Sequence, residues 1–209
     1  MRFNRPLDKV LNNEIKVRAL RIFSQNQGEM SGRQIARMIG VTPKTAHEIL
    51  QALLREGVLT MWAVGKTHLF RLNEGQAVVK DVLKPLFAAE NILSERLFDI
   101  IRTAVKRSKL KDDIISIAVF GSVHAKTERP TSDVDLLVIV KTAEFKPMAE
   151  ALFSDIDQKI SSQWGNLISP YVNTLAEFKS KVRKKTGAVP DILKSYQLIY
   201  GDRLEKLLR

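Results

Sequence analysis

The chain contains no cysteine, and that absence removes two kinds of chemistry. Without thiols it forms no disulfide and offers no thiolate to a metal ion, and its three histidines alone show no metal-ligand spacing. The sequence also lacks a run of about 18 apolar residues, the length that a membrane-spanning helix requires. Residues 1–6 lack the apolar core of a signal peptide, so we expect a cytoplasmic protein.

Acidic residues are few compared with basic ones. The 23 Asp and Glu residues face 34 Lys and Arg residues, which gives a formal net charge of +11 and a pI near 9.9. This excess favours an anionic partner, and it favours nucleic acid over a membrane surface because no long basic amphipathic segment occurs. A length of 209 residues with 44% hydrophobic content suits a globular protein of two small domains or one large one.

Two short motifs near the middle of the chain predict a phosphate-binding turn beside a metal site. Residues 114–120 are apolar and rich in β-branched side chains, which predicts a buried strand, and Gly121-Ser122 follows it. A glycine there lets backbone amides approach a phosphate closely. Residues 133–140 predict a second strand, in which alternation places Asp133 and Asp135 on one face. Neighbouring carboxylates repel unless a cation lies between them, and Mg²⁺ suits such oxygen ligands.

These motifs resemble the signature of the nucleotidyltransferase superfamily that includes DNA polymerase β, and the short spacing is most similar to its minimal branch. The resemblance implies that Gly121, Ser122 and Ser132 bind a nucleoside triphosphate. It also implies that Asp133 and Asp135 bind Mg²⁺ and form the catalytic site. Residues 196–202 are similar to the segment that closes such domains, a strand followed by a final helix.

Active members of that family usually carry a third carboxylate on a later strand. The strand predicted over residues 167–173 contains no acidic residue, and its Asn173 offers only a neutral oxygen. Asp155, Asp157 and Glu177 fall on predicted helices, where we expect solvated surface charges. The sequence therefore leaves open whether the domain catalyses transfer or only binds nucleotide.

The amino-terminal part predicts three helices and a hairpin. The helices are expected over residues 10–23, over residues 32–39 after a Ser31 cap, and from Pro43 after a Thr42 cap to a stop at Gly57. Two strands, 58–62 and 68–72, follow around a turn at Gly65-Lys66. This order is typical of a winged helix-turn-helix. The motif residues between Ser31 and Leu59 resemble bacterial winged-helix regulators, and the resemblance covers about residues 10–73.

In such a fold the helix that begins at Pro43 would enter the DNA major groove, and the hairpin tip would reach phosphate or the minor groove. The candidate DNA-binding residues are Arg33, Arg37, Lys44, Thr45, His47 and Lys66. The alternative interpretation is that these are solvated charges on a domain used for protein contacts or dimerisation. A homodimer is therefore a further expectation.

We expect an α/β (α+β) protein in which a winged helix-turn-helix precedes a nucleotidyltransferase-fold domain with a mixed sheet flanked by helices. Residues 1–75 form the predicted winged helix, residues 76–90 a helical connection bent near Pro85, and residues 91–209 the second domain. One long helix is expected over residues 89–107. A basic cluster at residues 179–185 is expected at a helix end, where it is solvated or faces an anionic substrate.

Two functions of different classes follow from this organisation. The leading hypothesis is a Mg²⁺-dependent nucleotidyltransferase that is brought to DNA, or regulated, by its winged helix. Its acceptor could be a protein, such as a partner toxin. The alternative is a DNA-binding transcription regulator or antitoxin whose degenerate transferase domain only senses nucleotide. A nucleic-acid-modifying enzyme is a third interpretation.

Overall fold

The computed structural model describes residues 4–26 and 28–209, which divide into two compact units at Leu93 and Ser94. Each unit has its own hydrophobic core. Among the described residues, no helix is both long and apolar enough to cross a lipid bilayer.

The first unit contains short helices, a three-stranded sheet and a π-helical segment. Its elements are α1 (Leu7–Val10), α2 (Glu14–Gln25), β1 (Met30–Ser31), α3 (Gly32–Ile39), α4 (Pro43–Arg55), β2 (Leu59–Val64), β3 (Thr67–Leu72), a π-helix (Val78–Leu83) and α5 (Lys84–Asn91). The strand order is β1-β3-β2, with both pairs antiparallel. Three helices followed by a two-stranded wing is the winged helix-turn-helix arrangement that the sequence predicts.

Local capping signals determine where α3 and α4 begin. Ser31 and Gln34 form a capping box, in which each side chain accepts a hydrogen bond from the backbone N–H of the other residue. The Thr42 hydroxyl accepts a hydrogen bond from the Thr45 N–H, and Pro43 occupies the first turn. Both helices therefore start where the sequence predicts.

The first predicted helix differs from the observed one. The sequence predicts one helix over residues 10–23, whereas α2 begins only at Glu14. The reason is a cap at Asn13, whose side-chain oxygen accepts a 2.8 Å hydrogen bond from the Ile15 N–H. Val10 instead ends the separate helix α1 and is buried in the first core.

The segment over residues 76–90 packs into the core of the first unit. Val79, Leu83 and Phe87 are buried there with the side chains of α2, α3 and α4. Arg21 on α2 also donates two hydrogen bonds, of 2.6 and 2.8 Å, to the carboxylate of Glu90 on α5. The segment predicted as a connection thus shares the core of the winged helix.

The second unit is a four-stranded sheet with helices on both faces. Its elements are α6 (Leu93–Arg107, which begins at the boundary), β4 (Ile114–Val119), α7 (Gly121–Ala125), β5 (Val134–Val140), α8 (Phe145–Trp164), β6 (Ile168–Thr174), α9 (Leu175–Lys184), α10 (Val189–Ile192), β7 (Gln197–Gly201) and a 3₁₀ helix (Leu204–Leu208). The long helix expected over residues 89–107 is interrupted, because α5 ends at Asn91 and α6 begins at Leu93.

The sheet is mixed, with strand order β6-β5-β4-β7. Strands β5 and β6 run parallel, while β4 pairs antiparallel with both β5 and β7. Val134, Leu136 and Val138 on β5 face the core that α6 and α8 cover. Leu137 and Ile139 face the opposite core, with α9 and α10, so alternation places Asp135 on that second face.

We expect Gly201→Ala to destabilise the second unit far more than Gly165→Ala. The two glycines have φ values of +77° and +74°, a conformation that costs other residues about 1–2 kcal/mol. A Cβ at Gly201 would lie 2.0 Å from the Ile115 carbonyl oxygen, whereas nothing lies within 4 Å at Gly165. Urea unfolding should show a free-energy loss larger by about 1–3 kcal/mol for Gly201→Ala. Equal losses would mean that β7 moves away from β4 without cost.

Candidate functional site

The Gly-Ser turn and the second aspartate are in direct contact. Strand β4 ends at Val119, and the Phe120 N–H then donates a 3.1 Å hydrogen bond to the Asp135 carbonyl oxygen. Gly121 follows with φ +71°, and the Asp135 side chain lies against its Cα. A Cβ at position 121 would lie 2.1 Å from Asp135 Oδ2. Only glycine fits there without moving the carboxylate.

The turn predicted at Gly121-Ser122 is the start of a short helix, α7, rather than a loop. The helix ends at Ala125 and is followed by Lys126, which caps it with φ 56°. The Thr127 N–H then donates a 3.0 Å hydrogen bond to the Ser122 carbonyl oxygen. Within the described residues, the half-buried Ser122 hydroxyl has no protein partner. That hydroxyl is available to a ligand that binds at Gly121, where the Asp135 carboxylate lies.

Asp133 and Asp135 lie on either side of Val134, at the start of β5. Asp133 is exposed and immediately precedes the strand, whereas the sequence places it on the strand; Asp135 is half-buried. Burial raises the pKa of the Asp135 carboxyl, and the nearby charge of Asp133 raises it further. A cation between the two would relieve this repulsion, so the pair fits a divalent ion such as Mg²⁺ that keeps waters or phosphate oxygens as its other ligands.

In the part of the chain that the structure describes, no third acidic side chain completes the pair. Over residues 4–26 and 28–209, no three His, Asp or Glu side chains come together as a metal site. On β6 the neighbour of Asp135 is Ser169, which is exposed and uncharged.

Asn173 is not a substitute for the third carboxylate. It pairs with Ile139 in the sheet, four residues beyond Ser169 and so about 13 Å along the strand. Its side chain is fully buried, and its Oδ1 accepts a hydrogen bond from Lys181 Nζ. The interpretation of Asn173 as a metal ligand fails because β6 carries it away from the carboxylates.

Ser132 is engaged in the loop that precedes Asp133. Its hydroxyl accepts a 2.9 Å hydrogen bond from the Arg129 N–H, and its own N–H donates to the Arg129 carbonyl oxygen at 2.9 Å. The Asn166 side chain donates to the Ser132 carbonyl oxygen at 2.8 Å. These contacts fix the loop that leads into Asp133. Asn166 therefore helps to position this loop, a role that the sequence did not identify. The nucleotide-binding role of Ser132 stays a prediction.

Two of the charges expected to be solvated have structural partners. Asp157 on α8 accepts a 2.6 Å hydrogen bond from the Ile168 N–H at the start of β6. Glu177 accepts from the Thr174 N–H at 2.8 Å and forms a 3.0 Å ion pair with Lys146. The hydrogen bond from the Thr174 backbone is the main cause that lowers the pKa of Glu177, with Lys146 a further cause. Asp155 is exposed, as expected.

The candidate DNA-binding residues lie on three elements of the first unit. Arg33 and Arg37 are exposed one turn apart on α3, and Lys44 and His47 are exposed in the first two turns of α4. Lys66 is exposed at the tip of the hairpin between β2 and β3.

Thr45 differs from the other candidates because it is half-buried. Its hydroxyl lies 2.9 Å from the Thr42 hydroxyl in the cap of α4, which limits its reach. Arg71 is a further basic residue of the wing, and it is not among the candidates chosen from the sequence. Its guanidinium lies 5.1 Å from the centre of the Trp62 ring.

We expect Asp135→Asn to stabilise the metal-free protein at neutral pH. The raised pKa means that the folded state holds the ionised carboxylate at a cost, and the amide removes that cost. As the pH falls through the raised pKa, the folded wild type takes up the proton first. The advantage of the variant should then shrink, and it should vanish below the unfolded-state pKa. Thermal unfolding between pH 3 and pH 8 would measure this, with the exposed Asp155→Asn as control. A pH-independent difference would contradict the electrostatic cause.

Family models match both units. Residues 99–200, just under half of the chain, match the nucleotidyltransferase domain, and residues 16–60 match the IclR helix-turn-helix domain. The first match contains Gly121, Asp133 and Asp135, and the second contains α3 and most of α2 and α4. A comparison with curated proteins finds no match.

Several solved structures are similar to parts of the chain. A possible transcriptional regulatory protein from Mycobacterium bovis is 24% identical over 43% of this chain and 88% of that chain, with a TM-score of 0.33. A spectinomycin adenyltransferase from Enterococcus faecialis, with ATP and spectinomycin, is 20% identical over 55% and 59%, with a TM-score of 0.39. A toxin-antitoxin with AMP-PNP is 16% identical over 53% and 80%, with a TM-score of 0.34.

The fold of each unit agrees with the family model that matches it. A winged helix with its wing precedes a mixed sheet that is flanked by helices, which is the fold class that the sequence predicts. The chain thus combines a winged helix-turn-helix unit, which contains the match to the IclR helix-turn-helix domain, with a unit that contains the match to the nucleotidyltransferase domain.

Proposed function

We propose that the second unit is a Mg²⁺-dependent nucleotidyltransferase that binds a nucleoside triphosphate and transfers its nucleoside monophosphate to an acceptor. The observation that carries the proposal is the contact between the Asp135 carboxylate and Gly121. This contact brings the predicted metal ligand to the predicted phosphate turn. Both motifs fall inside the segment that matches the nucleotidyltransferase domain.

Asp133 and Asp135 would hold the Mg²⁺, because they form an acidic pair at the start of β5 and Asp135 lies next to Gly121 of α7. When bound, Mg²⁺ polarises the phosphoryl group and neutralises charge that develops on its oxygens. The backbone amides of Gly121 and Ser122, with the free Ser122 hydroxyl, would bind the terminal phosphates and orient the α-phosphate.

The reaction that follows is an in-line displacement at the α-phosphorus. The acceptor hydroxyl forms a new bond to phosphorus, and the bond from phosphorus to the α–β bridging oxygen breaks. Pyrophosphate leaves with that electron pair. The acceptor proton passes to water in this proposal, since the described part of β6 offers the neutral Ser169 beside Asp135 and no carboxylate. We therefore expect slow transfer, which an acceptor with its own base would accelerate.

The second candidate function is nucleotide sensing by a DNA-binding regulator. The observation that favours it is that Ser169, and not a carboxylate, lies beside Asp135 on β6. A site without a general base at that position can bind a nucleotide without transferring any part of it. The two functions differ in one measurable product. Incubation with nucleotide labelled at the α-phosphate would leave label on an acceptor, including a partner toxin or a nucleic acid, only if transfer occurs.

We also propose that the first unit binds duplex DNA through the amino-terminal part of α4 and the wing. Lys44 and His47 are exposed on the helix that would enter the major groove, and Lys66 is exposed at the wing tip. Arg33 and Arg37 would contact the phosphate backbone from α3. The net charge of +11 supports an anionic partner.

We expect Asp133→Asn and Asp135→Asn each to abolish the Mg²⁺-dependent part of ATP or GTP binding while the protein stays folded. Each change removes a charged oxygen ligand and keeps the shape of the side chain. Calorimetry with and without Mg²⁺ would measure the affinities, and Asp155→Asn on α8 is the matched control. Unchanged Mg²⁺-dependent binding in both variants would refute the assigned site, and no binding by the wild type would refute the proposed function.

For DNA binding, we expect Lys44→Ala and Lys66→Ala to weaken binding to mixed duplex sequences and to reduce its salt dependence. Each phosphate contact that is lost should lower the slope of log affinity against log salt by about 0.9. Fluorescence anisotropy at several salt concentrations gives that slope. Arg55→Ala is the control, because Arg55 is exposed at the opposite end of α4. An equal effect of Arg55→Ala would point to general charge attraction instead.

A further inference from the structure

The carboxyl-terminal end of α9 lies on the face of the sheet that carries Asp135. Tyr171 packs on that face, two residues beyond Ser169 on β6, and so about 7 Å along the strand from the neighbour of Asp135. Helix α9 begins directly after β6, and its Lys181 Nζ donates a 2.7 Å hydrogen bond back to the Tyr171 hydroxyl. The helix therefore runs from the end of β6 back towards the candidate site.

This end of α9 is strongly cationic, and most of its charges are unmatched. We call it the basic end of α9; its members are Lys181, Arg183, Lys184 and Lys185. Glu177, one turn earlier, forms a 3.0 Å ion pair with Lys146 and also interacts electrostatically with Lys181. Arg183, Lys184 and Lys185 are exposed, and none of the three forms a salt bridge with any residue that the structure describes.

The helix itself does not use these three charges. The Thr186 N–H donates a 3.0 Å hydrogen bond to the Lys181 carbonyl oxygen, and the Lys185 N–H donates one of 3.2 Å to the Val182 carbonyl oxygen. Backbone groups thus close the last turn without help from a side chain. The negative partial charge at a helix end is only about half an elementary charge, so most of the excess is available to a ligand.

Lys185 occupies a backbone position that favours glycine. Its φ is +53°, in the left-handed region where any side chain adds strain. A glycine would end α9 at lower cost, as it does at many helix ends. The fold therefore gives no reason for a lysine at this position, and its charge is the property that a ligand could use.

The surface suits a phosphate backbone better than it suits a protein. Residues 183–188 are all exposed, and their side chains are basic, hydroxylic or small, with no aromatic or large apolar group. Protein interfaces depend on such apolar and aromatic anchors. Phosphates of a nucleic acid, in contrast, are bound mainly by Lys, Arg and hydroxyl side chains.

We propose that the basic end of α9 binds the sugar-phosphate backbone of a single-stranded nucleic acid whose terminal hydroxyl is the acceptor. The transfer step rests on the proposed function, whereas the binding surface does not. The terminal hydroxyl oxygen forms a bond to the α-phosphorus, and the bond from phosphorus to the α–β bridging oxygen breaks. Pyrophosphate leaves with that electron pair, the hydroxyl proton passes to water, and the strand gains one nucleotide.

Salt-dependent binding of single strands tests the surface. Fluorescence anisotropy on the full chain would use unstructured RNA and DNA oligonucleotides of one sequence. We expect Arg183→Gln combined with Lys184→Gln to lower the slope of log affinity against log salt by about 1.4, because each phosphate contact on a single strand contributes about 0.7. The matched control is Lys106→Gln combined with Lys159→Gln, which removes two exposed charges from the helices on the opposite face.

Lys185→Gly separates binding from stability. Because glycine suits the left-handed backbone, we expect this variant to have a higher melting temperature than the wild type. It should nevertheless bind single strands more weakly, with a slope lower by about 0.7. A variant that is more stable and binds single strands as well as the wild type would count against the proposal.

The other outcomes are equally distinct. Equal effects of the α9 pair of substitutions and the control pair refute the surface. Displacement of the oligonucleotide by polyglutamate of equal charge also refutes it, since any polyanion would then bind. With Mg²⁺ and ATP labelled at the α-phosphate, label that joins the strand in the wild type and is reduced in the α9 variant supports the acceptor role. No label on the strand, or equal label in both proteins, refutes that role.

Failure of the proposed function gives a different result. If the wild type binds no nucleotide with Mg²⁺, the transferase is refuted, and strand binding that still depends on the basic end of α9 supports the surface alone. If nucleotide binds and the strand does not, the surface is refuted and the transferase proposal stands. Thermal unfolding of each variant confirms that it is folded.

Discussion

The close approach of the Asp135 carboxylate to Gly121 is the constraint on which the candidate site depends. The hydrogen bond from Phe120 to the Asp135 backbone aligns the end of β4 with the start of β5. The missing side chain at position 121 then lets the carboxylate lie against the turn. A site that places a metal ligand next to phosphate-binding amides needs this closeness, because a metal bridging protein and phosphate spans only about 4 Å. The sheet register thus determines what the site can bind.

The same register bears on whether the proposed site could turn over a nucleotide that it binds. Parallel pairing puts Ser169 beside Asp135. A carboxylate at that position would add a third negative charge to the site and could take the proton from the hydroxyl of the acceptor. With two aspartates, one Mg²⁺ would balance the charge of the carboxylates, and a bound polyphosphate would need counter-charges from other residues. Tight binding and slow transfer are compatible in such a site.

What the sequence could predict was the part encoded within a few residues. The caps at Ser31 and Thr42 and the proline at Pro43 determine helix starts locally, and the structure has them at those positions. The β-branched runs before Gly121 and after Asp133 likewise predict two strands because their pattern is local. The fold class followed from these elements in order. The predicted start of the first helix was wrong by a few residues, because the apolar periodicity extends back to Val10 while the Asn13 cap starts α2 at Glu14.

What the sequence could not predict was which distant residues share a position in the sheet. Asn173 and Ser169 both lie on β6, and only the register with β5 shows that Ser169 neighbours Asp135. His124 and Ser195 are joined because β7 returns to pair with β4, a pairing that no local pattern encodes. The polar residues that lie beside the two motifs therefore come from distant parts of the chain. A motif identifies the first half of a site, and topology selects the second half from residues that are unremarkable in the sequence.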